Sequence, residues 1–329
     1  MGAAMAAADT VRTTTSPNPW VGAVVLDATG AIIATGATNP PGGDHAEVVA
    51  LRAAGERARD STLVVTLEPC SHHGRTPPCV DAVLVAGVAR VVIGTLDPDP
   101  AVAGRGAERL RRAGLDVVVG VEETAVRQQL RAYLHHRTTG RPFVVVKMAM
   151  TLDGRTAAPD GTSRWITGTE ARTDVHRLRA ESDAVIVGAG TVRADDPELT
   201  VRHVAGRDPQ RVVLGRAPEH ARCRPCLEWD GPLPDLLERL GGEGCLQVLV
   251  EGGAGVVAAF RDARLIDEWV VYLAPAVFGG NDAAPLLAGP TAPTISAVER
   301  GRIVEAVLIG GDLRIVIDGI AGPAGDEEG

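Results

Sequence analysis

The chain has 329 residues, enough for two domains at roughly 150 residues each. Hydrophobic residues make up 45% and charged residues 23%, an ordinary globular mix that excludes a largely disordered chain. The formal net charge of −9 and the 3% of aromatic residues offer neither the basic face nor the stacking platforms of a nucleic-acid binder. No run approaches about 18 uninterrupted apolar residues, so no membrane span is expected. Met1 to Thr15 lacks a basic start followed by a long apolar run, so no secretory leader is read there. Five scattered cysteines are too few for a disulfide framework and point to a reducing cytoplasm, where clustered Cys suggests metal ligation.

In chain order, Val21–Leu26 and Ala31–Thr35 read as paired strands around a turn at Asp27 and Gly30. His45–Arg59 reads as a helix with Val48, Val49, Leu51 and Ala54 on one stripe and Asp44 as its N-cap. Thr62–Leu67 is a β-branched strand ending at Glu68-Pro69. Val80–Ala86 is a helix closed by Gly87, Arg90–Gly94 a strand, Gly104–Ala113 a helix stopped by Gly114, and Asp116–Val119 a strand. This alternation predicts a sheet with helices on both faces. Val121–Arg137 reads as one polar helix and residues 138–142 as a linker, which divides the chain into 1–140 and 141–329. Strands follow at Phe143–Met148, Ala184–Val187, Arg211–Leu214, Leu246–Val250, Glu268–Leu273, Arg302–Leu308 and Leu313–Ile317. Helices fit Glu170–Ala180, Pro234–Leu240 and Ala254–Ala263. The Gly- and acid-rich tail from Gly319 is expected to be disordered.

The chemistry-bearing cluster is His45-Ala46-Glu47 followed by Pro69-Cys70 and, after eight residues, Cys79. One imidazole and two thiolates neutralise Zn2+ and leave a fourth position for water, which the metal acidifies. A Glu two residues after the His can carry the water's proton to a leaving amine without ligating the metal. Both ligand groups fall at strand-to-helix passages, where N–H groups and the helix dipole favour thiolates. The usual deaminase spacing is Cys-x-x-Cys, so Ser71 to Pro78 form an inserted loop. On residue type alone His72 and His73 compete as ligands.

The run Pro17-Asn18-Pro19-Trp20-Val21-Gly22, the His45-Ala46-Glu47 triplet and the segment Glu68 to Cys79 resemble the bifunctional deaminase/reductase of riboflavin biosynthesis. Asp97-Pro98 and Val102 to Gly106 continue the similarity, which covers nearly the whole chain. The resemblance implies a cytidine-deaminase-like α/β/α domain followed by a dihydrofolate-reductase-like α/β domain. The first would hydrolyse the 2-amino group of a diaminopyrimidinone with a phosphoribosylamino arm. The second would deliver hydride from NADPH to C1′ of that arm, giving a ribityl chain. It implies His45, Cys70 and Cys79 as zinc ligands, Glu47 as proton shuttle, Asn18 against the pyrimidine and Arg75 on the phosphate. An Arg fork suits a phosphate dianion. His72 and His73 then become loop or substrate-contact residues. Family members commonly assemble as homo-oligomers, and small-molecule chemistry leaves no role for nucleic acid or membrane. The family commonly has Asp-Pro-Asn-Pro where this chain has Asp97-Pro98-Asp99-Pro100. The Asp adds a negative charge near a phosphorylated substrate and, when ionised, cannot donate a hydrogen bond.

The second half has no Gly-x-Gly-x-x-Gly after its first strand, so a Rossmann fingerprint is absent. Val250-Glu251-Gly252-Gly253-Ala254-Gly255 at a strand-to-helix passage is either a tight turn or a phosphate cradle. The resemblance continues through Phe143 to Arg155, Ser163 to Thr167, Gly190 to Pro197, Leu199 to Arg202, Glu251 to Gly253 and Tyr272 to Pro275. It implies that Ala149, Trp165, Thr191 and Asp195 lie against the cofactor, with Gly253, Ala254, Gly255, Val256, Val257 and Ala258 around its phosphates. Lys147, Ser163, Arg179, Leu199, Arg202 and Glu251 would contact substrate. Past the Arg211–Leu214 strand, Gly215-Arg216 stands where a small hydroxyl residue is expected, and the stretch to Leu246 is shortened. Arg216 there would suit the 2′-phosphate of NADPH. Cys223-Arg224-Pro225-Cys226 lies in this stretch with no second Cys or His pair beside it in sequence. An alternative reading is a zinc-dependent nucleoside or tRNA deaminase with a degenerate, non-catalytic C-terminal domain.

Overall fold

Strands made of Val, Leu and Ile runs form one five-stranded sheet in the first part of the chain. In the computed structural model, which describes residues 1–72, 77–100 and 102–321, its order is β2-β1-β3-β4-β5. The strands are β1 (Gly22–Leu26), β2 (Ile32–Ala37), β3 (Thr62–Leu67), β4 (Arg90–Thr95) and β5 (Asp116–Val119). β1 is antiparallel to both β2 and β3, while β3, β4 and β5 run parallel. The helices are α1 (Gly2–Asp9), α2 (Ala46–Ala54), α3 (Cys79–Ala86), α4 (Arg105–Arg112), α5 (Glu123–Gln129) and α6 (Arg131–Thr139). A single 3-10 turn, Gly55–Ala58, follows α2.

The period of two along a strand decides which helix covers which face. Val24 and Val64 pack with Ala4 of α1. Gly36, paired with Ala23 on the other face, lies against α2. The two helices therefore cover opposite faces. Ala23, Val25, Leu63, Val65, Val91 and Ile93 are fully buried.

Three expectations are corrected here. His45, with β-region angles, occupies the N-cap position of α2. Asp44 pairs instead with Arg52, Nη1 to Oδ2 at 2.5 Å, and a carboxylate so engaged does not cap. The buried stripe of α2 is Ala46, Glu47, Ala50, Leu51 and Ala54, with Val48 and Val49 only half-buried. The helix expected over 121–137 breaks at Leu130 into α5 and α6. Beside the break, Gln129 sends its amide to Met5 O at 2.8 Å and Asp9 Oδ1 at 2.7 Å on α1.

The chain divides into two compact units between Gly140 and Arg141. The second unit carries an eight-stranded sheet, order β10-β9-β8-β11-β6-β12-β15-β14. Its strands are β6 (Phe143–Thr151), β8 (Ala184–Gly188), β9 (Gln210–Leu214), β10 (Leu227–Trp229), β11 (Gln247–Val250), β12 (Glu268–Ala274), β14 (Arg300–Ile309) and β15 (Asp312–Ala321). β7 (Arg155–Ala157) and β13 (Ala284–Pro285) form a small separate pair. β10 through β12 run parallel; β12, β15 and β14 are antiparallel. Val144–Val146, Ala184–Val187 and Val248–Val250 are buried runs, as expected of parallel strands covered on both faces.

The helices are α7 (Thr169–Ala180), α8 (Ala189–Asp195), α9 (Leu233–Gly242) and α10 (Ala254–Asp262). Leu236, Leu237, Leu240, Val257 and Phe260 from α9 and α10 join Val144, Val146, Ile186 and Val248 in the main core. The segment between β9 and β11 supplies β10 and α9. Cys223 is buried with Val185, Val187 and Val213, and Cys226 packs on that cluster. β15 runs through Ala321, so residues 319–321 are paired strand, since β14 supplies partners up to Arg300↔Ala321. The rest of the expected disordered tail lies outside the described residues.

Candidate active sites

The site in the first unit forms where the carboxyl ends of two parallel strands meet a helix start. Leu67 of β3 pairs with Thr95 of β4, so Glu68–Cys70 and Asp97–Asp99 emerge side by side. α2 is brought close by Gly36: a Cβ there would fall 2.4 Å from Ala46 O and 2.5 Å from Ala50 N. That close approach sets His45 and Glu47, either side of Ala46, over the strand ends. Gly106 does the same for α4, since a Cβ there would lie 2.0 Å from Pro69 O.

His45 Nδ1 lies 3.1 Å from Cys79 Sγ and 3.7 Å from Cys70 Sγ. One ligand atom from each of the three residues lies within 4.8 Å of the others. A tetrahedral zinc with ordinary Zn–N and Zn–S lengths holds N and S about 3.5 Å apart, so the spacing and the donor set fit that metal. Cys79 N donates to Cys70 Sγ at 3.3 Å, and Cys79 opens α3. The hydrogen bond between the two thiols is the largest influence holding the Cys70 thiol down to about 4, with His45 and the Cys79 N–H adding to it. Cys79 is pushed up by that bond and by burial. A divalent cation bound by both sulfurs would displace their protons. His45 is raised, mainly by its hydrogen bond with Cys70.

Glu47 is buried at 3% exposure. Burial first, then the charge of Cys70, pushes its carboxyl up to about 7, where it can hold and release a proton at neutral pH. A cavity of about 240 Å³ opens onto these groups. Asn18, His45, Glu47, Cys70 and His72 line it, so the structure brings Asn18 to the metal-ligand cluster. Arg75 and His73 lie outside the described residues. Composition and spacing do not single out Glu68, Tyr133 and Arg137, which also line the cavity. Glu68 is buried and accepts N–H groups from Asp97, Gly104 and Ala107 at 3.2, 2.9 and 3.0 Å. It ties the loop after β4 and the start of α4 to the Pro69-Cys70 turn. Its place in Glu68-Pro69-Cys70 is the signal that could have revealed it.

In the second unit the polar residues gather at the carboxyl ends of the parallel strands, where open α/β sheets place ligands. Val250 pairs with Val146, which puts Glu251 one step on beside Lys147; their Oε2 and Nζ are 3.9 Å apart. Arg179 of α7 donates to Glu251 through Nε at 2.5 Å and Nη2 at 2.9 Å, and to Thr200 O at 3.2 Å. Burial lowers the Lys147 ammonium's affinity for its proton; Glu251 opposes this and Arg179 adds to it. Leu199 is buried with φ 58°. Arg202 donates its N–H to His176 Nδ1 at 3.2 Å and its guanidinium pairs with Glu198. His176, which the sequence reading passes over, thereby joins this cluster.

The residues expected at the cofactor form a looser set. Trp165 is 69% exposed, with Arg164 and Arg172 5.7 and 4.5 Å from its ring centroid. Arg164 pairs with Asp195 at 3.6 Å, which links Trp165 to the end of α8. A Cβ on Gly253 would lie 3.8 Å from Thr191 Oγ1, so those two are neighbours. Ala149 and Ser163 are half-buried, and Gly253 and Gly255 are exposed at the start of α10. Ala254 and Val256 are half-buried beside them. The Val257 side chain is in the core and its N–H donates to Gly253 O at 3.2 Å. Ala258 is also buried, because the helical period turns 257, 258 and 260 toward the sheet. Arg216 is exposed two residues past β9.

Residues 1–95 match the cytidine and deoxycytidylate deaminase zinc-binding region, and residues 142–312 the RibD C-terminal domain. The chain is 45% identical to riboflavin biosynthesis protein RibD of Mycobacterium tuberculosis over 292 residues, covering 85% of each. The chain belongs to the RibD family. With the Escherichia coli relative the identity is 38%, covering 95% of this chain and 96% of that one. The Acinetobacter baumannii RibD structure superposes with a TM-score of 0.88 at 37% identity, covering 96% of both chains. The Thermotoga maritima diaminohydroxyphosphoribosylaminopyrimidine deaminase/5-amino-6-(5-phosphoribosylamino)uracil reductase gives 0.86 at 35% identity, also covering 96% of both. The architecture is the deaminase-like unit followed by the reductase-like unit expected of this family. The match across residues 142–312 favours the bifunctional reading over a nucleoside or tRNA deaminase with a degenerate appendage. Among the described residues no helix is long and apolar enough to cross a membrane.

Proposed function

We propose that this chain performs both reactions of its family: hydrolytic deamination of the 2-amino group of the phosphoribosylamino diaminopyrimidinone in unit 1–140, then reduction of the ribosyl arm in unit 141–329. The observation that carries the reading is the convergence of His45, Cys70, Cys79 and buried Glu47 on one cavity. His45, Cys70 and Cys79 would hold the zinc, which when bound would acidify water at neutral pH. Glu47 takes a proton at its carboxylate and returns it to the departing amine, a cycle suited to a carboxyl whose burial raises its affinity for a proton. Asn18 offers amide donor and acceptor groups to the pyrimidine edge. Arg75 suits the substrate phosphate by residue type.

NADPH supplies the hydride for the second reaction. In that unit Arg179 and Arg202 are the cations for the phosphate the arm retains, with Glu251 fixing Arg179 and Lys147 giving a further polar contact. Trp165, Thr191, Asp195 and the first turn of α10 form the cofactor side, and Arg216 would meet the 2′-phosphate. Arg216→Ala should then lower the preference for NADPH over NADH; an unchanged preference removes that role. The acidic balance supports a partnership with small molecules rather than nucleic acid. We assign the chain to the cytoplasm and to a homo-oligomer.

The test is a coupled assay with the phosphoribosyl diaminopyrimidine, with and without NADPH, alongside a count of bound zinc. Ammonia release that needs zinc, followed by loss of NADPH absorbance, is expected. Ammonia from free cytidine but not from the phosphoribosyl substrate would overturn the reading.

A further inference from the structure

The Asp99 carboxylate lines the same cavity as His45 and Glu47, and it adds a negative charge to a pocket that has to admit a phosphorylated pyrimidine. The structure sets a cation against it. Arg137 of α6 has Nε 3.7 Å from Asp99 Oδ2. Its Cζ lies 5.0 Å from the centroid of the Tyr133 ring, one helical turn earlier. Tyr133 donates its hydroxyl to Asp97 Oδ2 at 2.9 Å, and Asp97 Oδ1 accepts Asp99 N–H at 2.9 Å. The ring of contacts Asp99–Arg137–Tyr133–Asp97 thus closes on itself, two members from the loop after β4 and two from one face of α6. All four line the cavity together with Asn18 and Glu47.

The pairing leaves capacity for a ligand. The Arg137 and Asp99 side chains keep 32% and 27% of their exposure. An Arg fixed over an aromatic ring loses little freedom when a ligand arrives. A lone carboxylate would repel a phosphate dianion within a Debye length, about 8–10 Å. The Asp99–Arg137 pair is neutral and still presents N–H donors.

We propose that Arg137 is a specificity-determining residue of this pocket: it cancels the charge of Asp99 and offers guanidinium donors to the oxygens of the phosphoribosyl arm. The pair thereby favours phosphorylated over unphosphorylated pyrimidines. This rests on the reading of unit 1–140 as a pyrimidine deaminase.

The test uses the full-length, zinc-loaded protein and measures ammonia release from the phosphoribosyl diaminopyrimidine and from its dephosphorylated counterpart. Arg137→Met should raise KM for the phosphorylated substrate about tenfold and leave kcat within about twofold. KM for the dephosphorylated compound and bound zinc should stay near native. Adding Asp99→Asn to Arg137→Met should recover part of the lost affinity, because no charge is then left to cancel while the guanidinium donors are still missing. Arg137→Lys keeps the cation and should fall between native and Met; it also serves if the Met variant fails to fold. An unchanged KM in Arg137→Met, an equal rise for both substrates, or no recovery in the double variant overturns the proposal. If the native protein releases ammonia from neither compound, the deaminase reading falls and takes this inference with it. Native turnover with an indifferent Arg137→Met sinks the inference alone.

Discussion

Arg179 grips Glu251 with two nitrogens at 2.5 and 2.9 Å while both side chains are largely buried, at 12% and 8% exposure. Burial alone would raise Glu251, but the charge and hydrogen bonds of Arg179, joined by Lys147, hold its carboxyl below the usual range. Removing one partner leaves the other charge buried and costs about 3–5 kcal/mol. Arg179→Met should therefore lower the unfolding free energy of the second unit by about that amount and abolish reduction, while zinc-dependent ammonia release continues. Because the folded pKa is depressed, this stabilisation is full above the unfolded value of 4.5 and is lost as pH falls through the lower folded value. Urea unfolding across pH 3–7 checks both points. A variant as stable as native would remove the pair from the account.

In the first unit the roles of Glu47 and the sulfurs separate by experiment. Glu47→Gln keeps the shape and removes the proton carrier. It should keep zinc and lose deamination by about 10²–10⁴-fold. Cys79→Ser should lose zinc, because a hydroxyl is a poor substitute for thiolate. Both variants should still oxidise NADPH with the deaminated intermediate, and so should chelator-treated native protein. Ammonia release near native in Glu47→Gln, or full zinc occupancy in Cys79→Ser by metal analysis, contradicts these assignments.

What could be read without coordinates follows from how local each signal is. Thr62–Leu67 and Asp116–Val119 are strands with the expected bounds, because β-branched runs between turn residues need no tertiary information. His45, Glu47, Cys70 and Cys79 were legible because metal chemistry restricts residue type and order. α8 was not: it starts Ala189-Gly190-Thr191, where Gly and Thr are poor helix formers and packing rather than propensity holds the turn. Val48 and Val49 looked like the core face of α2, yet Gly36 lets the smaller Ala46 and Ala50 take it. Tyr133–Asp97 and Arg202–His176 join residues 36 and 26 positions apart. No spacing rule along the chain predicts such pairs.

Gly36 links the fold to the zinc site. A Cβ there would meet backbone atoms, Ala46 O at 2.4 Å and Ala50 N at 2.5 Å, so α2 would have to lift. Overpacking of this kind costs about 1–3 kcal/mol. His45 and Glu47 flank Ala46, so the same shift would pull a ligand and the proton carrier out of register. Gly36→Ala should lower zinc affinity by at least about tenfold and depress Tm. Gly2→Ala, where a Cβ meets nothing within 4 Å, should change neither. Native zinc affinity in Gly36→Ala would show that α2 does not set the ligand geometry.

His176 provides a titration that can be followed from both ends. Its Nδ1 accepts the Arg202 N–H at 3.2 Å, and the His203 ring meets it edge-on with centroids 4.5 Å apart. Burial first, then the charges of Arg179, His203 and Arg202, pushes its pKa from 6.5 down to about 4. Between those values the unfolded chain binds a proton that the folded chain refuses. The His176 contribution to stability should therefore decline as pH falls from 6.5 and level off below about 4. His176→Asn keeps an acceptor near Nδ1 without the titration, so it should flatten that decline and remain close to native at neutral pH. His176→Leu should flatten it too but lose stability at every pH, because Arg202 N–H is left without its acceptor. Urea unfolding of the three proteins between pH 4 and 7 decides: a slope in His176→Asn equal to native would mean that another group takes up the proton.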